Sequence, residues 1–199
     1  MDEMYLGGRE TNKHKSKRTE GTQGRSTKTK TPIFGMIERE GSVVAMRVED
    51  TKGATLMPIV SQFVEEGSTT YTDGASIYNR LSRNGYEHLF ANHGQREFVR
   101  ASDIHTNSIK GFWAHFKRVV FGTYHCVSKD YQQRYIGEQA YRWNTREESA
   151  SYRFCDMFSK ASKKFDYNGV LSLSSVVNIE YRKFKTTVYN HWYAHKSSA

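Results

Sequence analysis

Asp103-Ile104-His105-Thr106-Asn107-Ser108-Ile109-Lys110-Gly111-Phe112-Trp113-Ala114-His115-Phe116-Lys117-Arg118 is the stretch whose reading decides the fold. At helical period it sorts into two faces. Ile109, Phe112, Trp113, Phe116 and Val120 recur at i, i+3, i+4, i+7 and i+11, an aromatic-rich stripe suited to packing. Asn107, Lys110, Ala114 and Lys117 fall on the other side, which is polar and basic and carries no carboxylate. Asp103 or Thr106 is placed to cap the start, and Gly122 follows the last apolar turn. Alone, the stretch describes an ordinary surface helix. A catalytic helix would need acidic partners from elsewhere in the chain.

The 199 residues allow one domain with a sizeable core, plus arms. Lys and Arg number 30 against 21 Asp and Glu, a formal charge of +9, which favours a polyanionic partner. Nucleic acid is preferred over membrane, because no amphipathic lipid-facing helix stands out. With no apolar run long enough for a bilayer and no signal peptide, the expected protein is soluble and intracellular. Cys126 and Cys155 form no Cys-x-x-Cys pair, so neither a zinc ribbon nor a disulfide framework is indicated. Cys126 reads as a buried thiol.

Upstream of the helix, Met1 to Leu6 has the look of a short strand stopped by Gly7-Gly8. Residues 9–30 carry eight Lys or Arg against Glu10 and Glu20 and have no hydrophobic period. This segment reads as a mobile basic arm, with Lys13, Lys15, Lys17, Arg18, Arg25, Lys28 and Lys30 as candidate phosphate contacts. Ile33 to Arg39 and Val43 to Val48 form a hairpin around Glu40-Gly41-Ser42. A helix is predicted from about Ala54 to Val64, with Pro58 in its first turn. Thr69 to Thr72 is a strand ending on Asp73-Gly74, Ala75 to Leu81 a short helix, and Tyr86 to Ala91 a further strand. Beyond the central helix, Ser128 is placed to cap a second long helix reaching about Trp143. A third runs from Ser149 to Ala161 and would bury Tyr152, Phe154 or Cys155, and Phe158. This order predicts an α/β, ribonuclease-H-like mixed sheet flanked by helices.

In that layout the first and fourth strands are neighbours, which brings Asp2 beside Asp73 and lays the polar start of the central helix across their ends. Two adjacent carboxylates repel unless a divalent cation neutralises them. Oxygen ligands of this kind suit Mg2+ or Mn2+, as in phosphodiester chemistry. Asn107 is the candidate third ligand through its amide oxygen. Lys110 cannot ligate while protonated, and Lys117 would hold a phosphate.

Several motifs resemble one family. Asp2-Glu3-Met4-Tyr5-Leu6-Gly7-Gly8, Lys30-Thr31-Pro32-Ile33-Phe34-Gly35-Met36, Tyr71-Thr72-Asp73, His105 to Trp113 and Gly122-Thr123-Tyr124-His125 are similar to segments of DDE-type insertion-sequence transposases of the ISXO type, related to Merlin elements. Gln133-Arg134-Tyr135 through Arg142 to Arg146 looks like that family's closing helix. The resemblance covers residues 1 to about 164. It implies metal-dependent DNA end cleavage and strand transfer by a ribonuclease-H-fold domain. Asp2 and Asp73 match the first two acidic ligands, Asn107 or the position of Lys110 the third, and Lys117 the helical lysine. The implied cofactor is Mg2+ or Mn2+. The implied partner is double-stranded DNA, both transposon ends and target, bound through the arm and through Lys110, Lys117 and Arg118. No membrane is implied, and a homo-oligomer on DNA is left open. The location is the cytoplasm, at the bacterial nucleoid, or the nucleus of a eukaryotic source.

The chain departs from the family at three places. Many relatives carry Glu where Lys110 stands, relatives usually have a zinc ribbon or DNA-binding segment before the first Asp, and 165–199 reads as an atypical tail. The alternative reading is therefore a non-catalytic, DNA-binding remnant of a transposase. A more distant one is a basic RNA-associated protein.

Overall fold

The computed structural model describes residues 1–8, 10–22, 24, 26–91 and 104–161. The chain divides into two compact units, 1–146 and 147–199. The first is mixed α/β. Strands β1 (Asp2–Leu6), β2 (Thr31–Ile37) and β3 (Val43–Arg47) form an antiparallel sheet in the order β1-β2-β3, with Asp2 opposite Gly35 and Gly35 opposite Ala45. Strands β4 (Thr69–Thr72) and β5 (Glu87–Phe90) pair in parallel as a separate two-stranded sheet, so the single mixed sheet with the first and fourth strands as neighbours, expected from the element order, is not what forms. The Met1 nitrogen donates to the Tyr71 carbonyl at 2.6 Å, and the Arg39 guanidinium lies 4.1 Å from the Tyr71 ring centroid. These contacts set the start of β1 against β4.

β2 is buried on both faces, as a central strand should be. On one side Met4, Leu6, Ile33, Val43 and Ala45 meet α2 (Asn107–Val119) and α3 (Gln132–Asn144). On the other, Phe34, Met36 and Val48 meet Leu56 and Val60 of α1 (Gly53–Phe63), together with Tyr78, Leu81 and Tyr86. The stripe predicted for the central helix is the centre of the first core: Ile109, Phe112, Trp113 and Phe116 are all buried. Gly35 lets that helix approach, since a Cβ there would lie 2.5 Å from Trp113 Cζ2. The Asn144 side chain accepts from the Val43 N–H at 2.7 Å and donates to its carbonyl at 3.0 Å. Gln133 Oε1 accepts from the Arg47 N–H at 2.8 Å.

Several expectations need correction. Pro58 lies inside α1, not in its first turn, so it withholds one helical hydrogen bond there. Ala75 to Leu81 folds as a short 3-10 segment, Ser76–Arg80. The Thr106 side chain makes no capping bond; instead the His105 ring accepts from the Asn107 N–H at 3.4 Å. Asp103 lies outside the described residues. Gly122 does not end the helical path, which continues as a π turn, Val120–Tyr124. Ser128 precedes α3 through a 3-10 turn and makes no side-chain cap. Cys126 and Cys155 are free and exposed, because Cys126 follows the π turn rather than facing a core.

In the second unit, α4 (Ala150–Ala161) shows the predicted period but not the predicted burial. Tyr152, Phe154 and Phe158 are more than half exposed, and Cys155 is exposed too.

Candidate functional site

Two elements deliver carboxylates to one place. β1 begins with Asp2 and Glu3, and β4 ends one residue before Asp73. The chain turns sharply after Asp73: its Oδ1 accepts from the Ala75 N–H at 3.1 Å, and Gly74 takes a φ of +79°, which favours glycine. The Thr72 hydroxyl is bonded to His88 Nε2 at 2.8 Å, fixing the end of β4 against β5. Burial lowers the pKa of that imidazole, which favours its neutral form. One carboxylate oxygen each from Asp2, Glu3 and Asp73 lies within 4.8 Å of the others, and all three residues are half-buried.

The electrostatics are those of crowded acids. Asp2 is pushed above the usual carboxylate range, first by burial and then by the charge of Asp73. The Met1 amino group, the Glu3 N–H and the Lys110 ammonium act in the opposite direction. The central helix thus brings Lys110 within electrostatic reach of Asp2. Asn107 opens the same helix and is exposed; Lys117 and Arg118 are exposed in its last turn.

A set of three hard oxygen donors fits a Mg2+ or Mn2+ ion, whereas it offers nothing soft for zinc or copper. The sequence reading found Asp2 and Asp73 but not Glu3. Period-two alternation assigns neighbouring residues of a strand to opposite faces, so the pair did not read as one site. Tyr78, which donates to Glu3, was likewise missed. A buried tyrosine five residues beyond a candidate ligand was the available signal.

The arm carries local hydrogen bonds of its own. Glu10 accepts from Lys13 Nζ at 2.7 Å and from the Thr19 N–H at 2.9 Å, and 3-10 turns form at Glu10–Asn12 and Lys15–Lys17. Arg18 donates to the carbonyls of Thr11 and Lys13, Lys28 to that of Glu20, and Lys30 to that of Gly24. Arg18, Lys28 and Lys30, three of the candidate phosphate contacts, thus also brace the arm's own backbone through exposed hydrogen bonds. Lys15 and Lys17 are exposed. Arg25 lies outside the described residues.

β1 and β4 thus bring their carboxylates to one acidic pole, with Lys110 of α2 in electrostatic reach. The ISXO2-like transposase domain matches residues 1–144, and the chain belongs to that family. A Haemophilus influenzae Rd protein described as an uncharacterized transposase-like protein is 29% identical over 105 residues, which is 53% of this chain and 83% of that one. No solved structure matches. Membership assigns the protein a part in transposition. No helix among the described residues is long and apolar enough to cross a membrane.

Proposed function

We propose that residues 1–164 form the catalytic domain of a DDE-type transposase, of ribonuclease-H-like fold, that cuts DNA ends and joins them to a target. The observation that carries this reading is the gathering of Asp2 and Glu3 of β1 with Asp73 from the end of β4, in electrostatic reach of Lys110 on α2. A bound Mg2+ or Mn2+ ion would supply charge neutralisation and Lewis acidity at the reacting phosphodiester. Asp2 and Asp73 would hold that ion, and Asn107 would add a neutral amide oxygen from the helix. Lys117 and Arg118 engage DNA phosphates at the far end of α2, with Lys13, Lys15, Lys17, Arg18, Arg25, Lys28 and Lys30 extending the contact along the arm. The working form is an assembly on transposon DNA, bacterial or nuclear according to its source.

A second reading has its own observation. Lys110 lies in electrostatic reach of Asp2, and a cation there competes with a divalent ion. In that reading the chain grips DNA without cutting it. The test is cleavage of a labelled DNA end with Mn2+ or Mg2+, using the parent and three variants: Asp73→Asn, Asn107→Ala and Lys110→Glu. Cutting by the parent that is abolished by Asp73→Asn and Asn107→Ala supports the enzyme. A silent parent that binds DNA and gains cutting from Lys110→Glu supports the remnant. A parent that neither cuts nor binds DNA overturns both.

A further inference from the structure

Asp2 and Glu3 should point to opposite faces of β1. Asp2 belongs to the α2 side with Met4 and Leu6, and Glu3 to the side that holds Phe34 and Tyr78. The Glu3 carboxylate nevertheless comes within 4.8 Å of both aspartates. The location is the start of a strand, where an extra methylene lets a glutamate curl round the edge. Tyr78 then aims it. This side chain is wholly buried, and its hydroxyl donates to Glu3 Oε1 at 2.5 Å. Its 3-10 segment follows directly from the turn that presents Asp73, so one connection supplies both a carboxylate and the donor that orients its neighbour.

Charge points the same way. The Met1 amino group and the Lys110 ammonium both offset the charge of the two aspartates, which leaves them short of balancing a divalent ion. Glu3 adds a further negative charge. It therefore makes good, from β1, the acid that α2 does not provide.

We propose that Glu3 is the third carboxylate of the cation site and that Tyr78 is the residue that positions it. The proposal rests on the cation-site reading above. Its test is Mn2+ titration of the full-length chain, followed by calorimetry and by the spin-resonance signal of free Mn2+, with melting temperatures measured in parallel. Tyr78→Phe should weaken Mn2+ binding about tenfold, since losing a group that orients a metal ligand typically costs 10–100-fold. Glu3→Gln keeps an oxygen for the Tyr78 hydroxyl, so it should fold like the parent yet bind Mn2+ at least as weakly as Tyr78→Phe. A Tyr78→Phe protein that melts lower but binds Mn2+ like the parent overturns the positioning role. If Tyr78→Phe does not fold, Glu3→Gln decides alone, and parent-like binding overturns the proposal. A parent that binds no Mn2+, or an Asp73→Asn variant that binds it equally well, removes the cation site altogether. Loss in Asp73→Asn with no change in Glu3→Gln removes only the role of Glu3.

Discussion

α2 and α4 are near-equal in length and both carry an aromatic stripe at helical spacing, yet they meet opposite fates. In α2 the stripe is buried against the sheet, with Phe112 and Phe116 fully covered. In α4, Phe154 and Phe158 stack on each other with centroids 6.2 Å apart and remain 66% and 70% exposed. Their charged residues differ as well. Lys110 of α2 acts on Asp2, more than a hundred positions away, whereas Lys160 of α4 pairs with Asp156 one turn back. Amphipathic spacing identifies an apolar face. It does not name what covers that face, and only the partner surface makes a stripe a core.

Phe112→Ala should break the contrast most severely. It removes a ring packed against Trp113, Phe116 and Trp143, and should lower unfolding free energy by about 3–5 kcal/mol in urea titration. A loss below about 1 kcal/mol would mean that the α2 stripe is no more structural than that of α4.

Gly35→Ala tests the same packing from the strand side. Sheet propensity alone would favour alanine, but its Cβ would collide with Trp113 and crowd Ile109 Cδ1 at 3.0 Å. Overpacking should therefore win, at about 1–3 kcal/mol. An unchanged or raised melting temperature would show that α2 slides freely over the sheet.

Asp73→Asn sharpens the charged half of the comparison, with the opposite sign. An asparagine oxygen can still accept from the Ala75 N–H, while the charge repelling Asp2 disappears. Without divalent metal at neutral pH the variant should be more stable, by on the order of 1 kcal/mol. The raised pKa of Asp2 means that its ionised form is the strained one. As pH falls through that raised value Asp2 takes up a proton, so the advantage of the variant should shrink in acid. An advantage that grows in acid would contradict this sign.

Phe158→Ala and Asp156→Ala should do least. An exposed ring and a partly exposed i, i+4 pair are each worth less than about 0.5 kcal/mol, so chemical denaturation should barely separate either from the parent. A larger effect would show that this face is covered in solution.

The sequence made the α2 stripe legible because five apolar residues at one period leave few alternatives, and the hairpin around Gly41 announced itself by its turn. Asp2 and Asp73 were paired on the expectation that their strands are sheet neighbours; the strands lie in separate sheets, and the two carboxylates meet because the Met1 nitrogen ties the start of β1 to Tyr71 of β4. Glu3 escaped because alternation is a rule for strand interiors, and the start of a strand relaxes it. The arm's composition says nothing of Glu10, one carboxylate that holds Lys13 and the Thr19 amide. Cys126 misled because the π turn carries the chain past the point where a glycine stop would have turned it inward.

The amide of Asn144, which both accepts from and donates to Val43, imitates one residue of a missing strand. Gln133 does half as much at Arg47. β3 is the last strand of its sheet, and bare last strands recruit other chains into fibrils and swapped dimers. Here two side chains of a single helix act as a selvedge, finishing the weave so that no foreign thread can be added on that side. On that side β3 stays closed to strand exchange for as long as α3 remains docked.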